Sequence, residues 1–382
     1  MQEVYVLAAL RTPIVGRKGR FKAIRPEVLG AEVIKALLRR CELTAVDGIL
    51  GGNAVGTGGN ITRLMALLAG LCEEVPACTV DMQCASAAAA IGMAYAKIAS
   101  GQGDIWLAGG MESSSLQPLR TYAPLDDRYA LVPTGDGRYY TAQFAPEDMA
   151  PDTMLRGAER VAAEEGITRA ELEKWALYSH TRAAAARRDG VLQDVIVPIQ
   201  GWSRDDGIRP HMSKRLLDRL PLLLGEGTTL TAGTACSTND GAAFAVLASK
   251  NYLERQGKRP LARIVGTASV GGSPAQSPRG AMRTADVLLT RLGWRYEDLQ
   301  AIEFNEAFAV IDVLFERKHP ACVAKYNSLG GALAYGHPYG ASGGILLAHL
   351  IKSLQRAGGG RGILSIAGAG GMGEAIALEL VE

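Results

Sequence analysis

Two stretches of this chain are built to one plan, and that repetition limits the available folds more than any other feature. The first has a strand pattern over residues 77–80, a turn holding Cys84, a small-residue helix over 86–100, Gly101-Gln-Gly-Asp104, and a strand pattern over 105–108 ending in Gly109-Gly110. The second has a turn, Gly336-His-Pro338, a helix over 341–356, Gly358-Gly-Gly-Arg361, a strand pattern over 363–366, and Gly368-Ala-Gly-Gly371. Elsewhere, the runs at 48–53 and 301–305 each follow an acidic turn and end in Asn53 and Asn305. Two copies cannot stack as a solenoid. They imply two related halves, about 1–118 and 250–382, and the alternation of strands with helices implies an α/β layered sheet.

The remaining periodicity agrees. Residues 3–9 form a short β-branched and apolar run that reads as a buried strand, ended by Pro13, which offers no ladder donor. Residues 26–40 read as an amphipathic helix with Val28, Leu29, Ile34, Leu37 and Leu38 on its apolar side. A strand at 48–52 and helical spacing at 62–71 follow. Between the halves, 119–135 has prolines and little periodicity and reads as an exposed loop, whereas 152–165 and 168–188 look helical. Thr168 stands as N-cap of the latter, with Glu171 at the capping-box position. The segment 181–220 has eight Lys/Arg against five Asp/Glu. That bias reads either as a solvated helical face or as a landing site for a phosphorylated substrate.

Composition removes several classes. With 48% hydrophobic and 21% charged residues in 382, the chain is neither disordered nor a disulfide scaffold, and its 46 glycines follow no collagen period. A net charge of +2 is too balanced for a protein that lives on nucleic acid or an anionic membrane. No apolar run approaches the roughly 20 residues of a membrane span, and the N-terminus lacks a signal-peptide core. The expectation is a cytoplasmic, reducing address with free thiols.

Cys84 is the sharpest chemical signal. A thiol between a buried strand and a helix sits where the helix dipole favours thiolate, so its pKa is expected to fall. It reads as a nucleophile or as a small hydrophobe in a core. His337 occupies the matching turn of the second half, and a pseudo-twofold between the halves would bring the two together, the imidazole taking the thiol proton. Asn305-Glu306 ends a strand, where an amide can serve an oxyanion and a carboxylate can hold a histidine tautomer. The tail Gly368-Ala-Gly-Gly-Met-Gly373 lacks a following Lys-Ser/Thr and has Glu374, so it reads as backbone crowding a bound acyl group rather than phosphate. Cys72, Cys78 and Cys84 are six apart, a poor metal spacing, and no metal site is expected.

Taken together these residues resemble the thiolase family over nearly the whole length. The motifs are Arg11-Thr-Pro13, the Cys84 turn, Ala108-Gly-Gly-Met-Glu-Ser113, Thr231-Ala-Gly-Thr-Ala235 with Asn239-Asp-Gly-Ala-Ala243, Asn305-Glu-Ala-Phe308, Gly336-His-Pro338 with Gly340-Ala-Ser-Gly343, and the Gly-rich tail, in family order. The resemblance implies a duplicated five-layer α/β/α/β/α fold with a loop domain, about 119–249, over the active site. It implies acyl-CoA and CoA as substrates, no resident cofactor, and ping-pong chemistry in a homodimer or homotetramer. Cys84 would be acylated and His337 would activate it. Asn305 would hold a water that completes one oxyanion hole with His337, and the N–H groups of Cys84 and Ala369 would form the other. Arg209 falls where relatives contact CoA, and Met149 falls in the substrate pocket.

One position departs from the pattern. Relatives with Asn-Glu-Ala-Phe have a second, acid/base cysteine in the final segment, where this chain has Ala367. A related class places it within the motif, where this chain has Ala307. Cys236, where relatives have serine near the pantetheine, is a candidate relocated acid/base or a buried small residue. Asp148 before Met149 and Ser277-Pro-Arg-Gly280 also depart from short-chain members. The expected function is a thiolase-type acyltransferase of the acetyl-CoA C-acetyltransferase kind with an impaired or altered acid/base step. The alternatives are a non-condensing acyltransferase and an acyl-CoA-binding protein without turnover.

Overall fold

The computed structural model describes residues 2–146, 150 and 152–381. In the N-terminal half, β1 (Val4–Arg11), α1 (Pro26–Arg40), β2 (Gly48–Gly52), α2 (Ile61–Leu68), β3 (Ala77–Val80), α3 (Ser86–Ala99) and β4 (Ile105–Ser113) follow the sequence pattern. The intervening region has α4 (Thr153–Glu164) and α5 (Arg169–Arg188), the second closed at its start by the expected Thr168–Glu171 capping box. Then come β5 (Asn239–Ser249), β6 (Ala262–Val270), α6 (Gly280–Leu292), β7 (Ala301–Phe304), α7 (Ala309–Lys318), α8 (Ser342–Arg356), β8 (Arg361–Gly368) and β9 (Met372–Leu380).

The strands lie in the order β3-β2-β4-β5-β1 in one half and β7-β8-β9-β6 in the other. The halves meet through a short antiparallel pairing of Val4–Val6 with Ala262–Ile264. Expectation and structure differ over β5. The sequence boundaries put 239–249 inside the inserted domain, yet β5 is fully buried between β1 and β4 and belongs to the N-terminal sheet. Its unbroken small and apolar run, Gly-Ala-Ala-Phe-Ala-Val-Leu-Ala, is what a strand covered on both faces requires.

Three apolar clusters separate five layers. One joins α1 and α2 to the outer face of the N-terminal sheet, and another joins α4, α5, α6 and α7 to the outer face of the C-terminal sheet. The middle cluster takes Ala88, Ala90 and Ala94 of α3 and Leu347, Leu350 and Leu354 of α8, with strand residues from both halves. Strand β1 shows how the faces are apportioned. Val4 and Val6 point to the middle layer, a register break follows, and Ala8 and Leu10 then point to the outer layer.

Small residues let α3 and α8 share that middle layer. A Cβ on Gly343 would lie 2.3 Å from the Ala88 nitrogen, and one on Gly52 would lie 2.5 Å from the Ala87 nitrogen. Both obstacles are backbone, which cannot swing aside. Among the described residues no helix is long and apolar enough to cross a membrane.

Gly343→Ala forces the two helix starts apart. We expect a loss at the upper end of, or beyond, the roughly 1–3 kcal/mol typical of overpacking, read by urea unfolding; unchanged stability would show that the approach is not a constraint.

Candidate active site

The strand-to-helix turn after β3 presents Cys84. Gln83 holds a left-handed φ of 52°, unusual for a residue with a side chain. The turn is tied by its own side chains: Asp81 Oδ1 accepts from the Gln83 N–H at 2.9 Å, while Ser86 Oγ accepts from the Met82 N–H at 2.9 Å and donates to the Gln83 carbonyl at 2.6 Å. Cys84 is buried, and burial pushes its thiol up to about 12. The N–H groups of Ala369 and of Cys84 itself point at the sulfur and pull the other way, without prevailing. The expected fall in pKa is therefore overturned: loss of hydration outweighs the N-terminal dipole.

His337 enters from the other half. Its N–H donates to the Ser237 carbonyl at 3.1 Å and to Asn239 Oδ1 at 2.9 Å, fixing the turn beside β5. Nδ1 lies 2.6 Å from Ser342 Oγ at the start of α8, and Nε2 lies 3.5 Å from Asn305 Nδ2. Burial lowers the imidazole to about 3, so the ring is neutral. Glu306, the carboxylate considered as its tautomer holder, turns away to accept from Ser179 Oγ, Asn327 Nδ2 and the Leu333 N–H. Ser342, inside the Gly340-Ala-Ser-Gly343 motif, takes that place.

Cys84, Cys236, His337 and Ala369 line one cavity of about 440 Å³. Cys236 is half-buried, with its N–H donating to the Ala307 carbonyl at 3.0 Å. Burial raises its thiol, and the nearness of Cys84 raises it further, since charge on one sulfur disfavours charge on the other. Tyr339 packs edge-on against His337 at 5.0 Å and lines the same space. Much of the remaining wall is apolar, from Phe144, Met154, Leu155 and Phe308. Glu112 braces the cavity from behind. It accepts from Asn53 Nδ2, the Ala54 N–H and the Gly340 N–H, joining a wall turn of one half to the His337 turn of the other.

Other sequence candidates lie elsewhere. Asn305 adjoins His337 but is not in the cavity lining. Arg209 is exposed and outside the lining, its N–H donating to His180 Nδ1 at 3.1 Å. Ala367 is buried, paired with Gly373, and also outside the lining, whereas Ala307 is in it. Ser277 is buried under the Gly-rich tail and accepts from the Gly371 N–H. Asp148 and Met149 fall outside the described residues. Sequence reasoning missed Arg120, Tyr339 and Ser342. Ser342 sits inside a quoted motif and Tyr339 between two of them, where a hydroxyl next to the histidine turn was the available signal. Among the described residues no group of three or more His, Cys, Asp or Glu is placed to hold a metal ion.

Comparison with known proteins assigns both halves of the chain to one family. The thiolase N-terminal domain family matches residues 4–251, and the thiolase C-terminal domain family matches 258–380. The chain belongs to the thiolase family. This thiolase is 35% identical to an acetyl-CoA acetyltransferase of Chromobacterium violaceum over 99% of both chains. It is 34% identical to a β-ketoadipyl-CoA thiolase of Pseudomonas putida over the full length of both. It is 33% identical to a steroid 3-ketoacyl-CoA thiolase of Mycobacterium tuberculosis, over 99% of this chain and 94% of that one. The crystal structure of the Bacillus anthracis acetyl-CoA acetyltransferase superposes with a TM-score of 0.91 at 29% identity, covering 100% of this chain and 99% of that one. Human mitochondrial 3-ketoacyl-CoA thiolase superposes with a TM-score of 0.89 at the same identity and coverage. Thiolase membership makes this an acyltransferase and accounts for the five layers.

A neutral thiol beside a neutral imidazole has a recognisable pH signature. With the thiol near 12 and the imidazole near 3, alkylation of Cys84 by iodoacetamide should rise about tenfold per pH unit from about pH 6 to 10. A plateau near neutrality would reveal a preformed thiolate–imidazolium pair.

Proposed function

We propose that this thiolase transfers acyl groups between CoA thioesters through a Cys84 thioester, as an acetyl-CoA C-acetyltransferase that makes or cleaves acetoacetyl-CoA. The shared cavity of Cys84, His337, Cys236 and Ala369 supports this reading. In the synthetic direction His337 Nε2 takes the Cys84 proton as the sulfur attacks acetyl-CoA. The departing CoA thiolate takes the proton of Cys236, leaving acetyl-Cys84, imidazolium and a Cys236 thiolate. That thiolate then removes an α-proton from a second acetyl-CoA, and the carbanion attacks the acetyl carbonyl. Cys84 leaves as thiolate and recovers its proton from His337. The cycle closes without a resident cofactor.

Burial of Cys236 acts in two directions: it makes the transfer of its proton to the CoA thiolate uphill, and it makes the thiolate, once formed, a stronger base for the α-proton. The acyl carbonyl would lie against the N–H groups of Ala369 and Cys84, which already converge on the sulfur. A water held by Asn305 with His337 would serve the other oxyanion. The acid/base step is thus altered in position rather than lost. All six cysteines are free thiols. An exposed apolar stripe on α2, Leu64, Leu67 and Leu68, flanks edge strand β3 and supports assembly as a homodimer or homotetramer.

A second reading concerns the acyl group. Arg120 stands in the cavity wall with its guanidinium on the Gly56 carbonyl, and among the described residues it has no ion-pair partner. An acyl chain ending in a carboxylate would supply one, and relatives include β-ketoadipyl-CoA thiolases.

Mass spectrometry after incubation with acetyl-CoA should find the adduct in wild type and Cys236→Ala but not in Cys84→Ala. Acetoacetyl-CoA cleavage should fall roughly 10²–10⁴-fold in Cys236→Ala; an unchanged rate removes Cys236 from the mechanism. For the acyl group, Arg120→Leu should lower kcat/KM for 3-oxoadipyl-CoA at least about tenfold, the loss of a charge-assisted bond, and spare acetoacetyl-CoA. Equal losses on both substrates would instead place Arg120 on CoA.

A further inference from the structure

Beside His337, separate from the Cys84 cavity, lies a chamber of about 20 Å³ lined in part by Glu303, Asn305, Ser342 and His349. That is room for one water, which needs about 10–15 Å³. Two atoms of its lining residues have no hydrogen-bond partner, Glu303 Oε2 and His349 Nε2, in side chains 0% and 2% exposed. Buried polar atoms are almost always paired with protein or with ordered water. Two orphans around a water-sized polar space therefore point to an occupant.

We propose that the chamber holds one ordered water, and that this water decides which ring nitrogen of His337 carries the proton. The inference rests on His337 being the base for Cys84. Burial keeps Glu303 protonated at neutral pH, with its acid raised to about 8. Its Oε1 already accepts from Ser353 Oγ at 2.7 Å, so Oε2 carries the proton and donates to the water. His349 is neutral through burial, and its Nε2 accepts from the water.

The consequence falls on Ser342, whose hydroxyl has His337 Nδ1 as its side-chain partner at 2.6 Å. With the water present, the Ser342 O–H has an acceptor of its own. Its oxygen then accepts from Nδ1–H, and Nε2 keeps a lone pair for the Cys84 proton. Without the water the hydroxyl can donate only to Nδ1. The ring proton moves to Nε2, since the opposing Asn305 amide N–H, at 3.5 Å, is too far to hold the lone pair there, and the base is disarmed. Glu303 and His349 are thus positioning residues that act through the water and Ser342.

The test combines nitrogen-15 NMR of labelled histidine with single-turnover acylation by acetyl-CoA. Wild type should show the Nδ1–H form of His337. His349→Phe, which fills the chamber and removes an acceptor, should show Nε2–H and acylate at least about tenfold more slowly at saturating acetyl-CoA, part of what a positioned base supplies. His349→Gln, which restores an acceptor, should keep the wild-type tautomer and rate. A dry chamber in a crystal structure at about 2 Å or better, or Nδ1–H retained in His349→Phe, overturns the proposal independently of activity. A tautomer that follows the chamber while acylation ignores both it and His337→Asn would leave the water standing and remove the base role instead.

Discussion

Where α3 and α8 begin, backbone meets backbone with no side chain between them: Gly343 faces the Ala88 nitrogen, Gly52 faces the Ala87 nitrogen, and a Cβ on Gly110 would collide with the Gly340 carbonyl. Each helix belongs to a different half, and each is preceded by the turn that bears a reactive side chain. Bringing the two starts together therefore brings Cys84 and His337 to one cavity without further machinery. The small residues that permit it account for the Ala-rich and Gly-rich stretches of the chain. Duplication supplies two equivalent presentation devices, and close packing makes them a single site.

That packing also sets the electrostatics. A site enclosed by two sheets and two helices loses water, and loss of water disfavours charge on both partners, raising the thiol and lowering the imidazole. The resting pair is neutral, so in the proposed mechanism thiolate forms only as the sulfur attacks. The N–H groups converging on Cys84 are too weak to ionise it at rest, yet they are already oriented where negative charge would develop on an acyl oxygen. The same enclosure places Glu112 under strain of charge, with its acid raised to about 7. It tolerates burial because three backbone N–H groups and Asn53 point at it, and those donors come from both halves.

The fold was legible wherever one strand or helix carried its own period. Helix α1 and strand β2 match the sequence reading residue for residue, and the Thr168 capping box forms as read. Strand β5 escaped because a strand buried on both faces has no alternation, and its glycine and alanines resemble a loop as much as a core. The pairing of Cys84 with His337 could be read because both lie in equivalent turns of a repeat. The thiol's protonation state could not, since it depends on hydration lost to residues distant in sequence. Nor could the role of Ser342, which depends on which way an imidazole faces. Glu306 shows the limit of motif reasoning: it stands next to Asn305, yet its carboxylate serves Ser179 and Asn327.

The acid/base role proposed for Cys236 has a packing logic when the position is set beside Ala367. Ala367 lies in the apolar cluster of the outer C-terminal layer, and a Cβ on Gly280 would come within 3.4 Å of it. Cys236 packs against that same cluster from the inserted region, while also lining the cavity. The two positions share one apolar environment, and burial there raises the Cys236 thiol. What differs is the element that carries it. From β8 a thiol would ride on a rigid strand beneath the Gly-rich tail. At 236 it rides on a segment that bridges to Phe308 through Ala235 and is hydrogen-bonded to the Ala307 carbonyl. Cys236 is thereby fixed to the Asn305-Glu-Ala-Phe308 segment, whose Ala307 and Phe308 also line the cavity, so the proposed acid/base group and that wall are held as one unit.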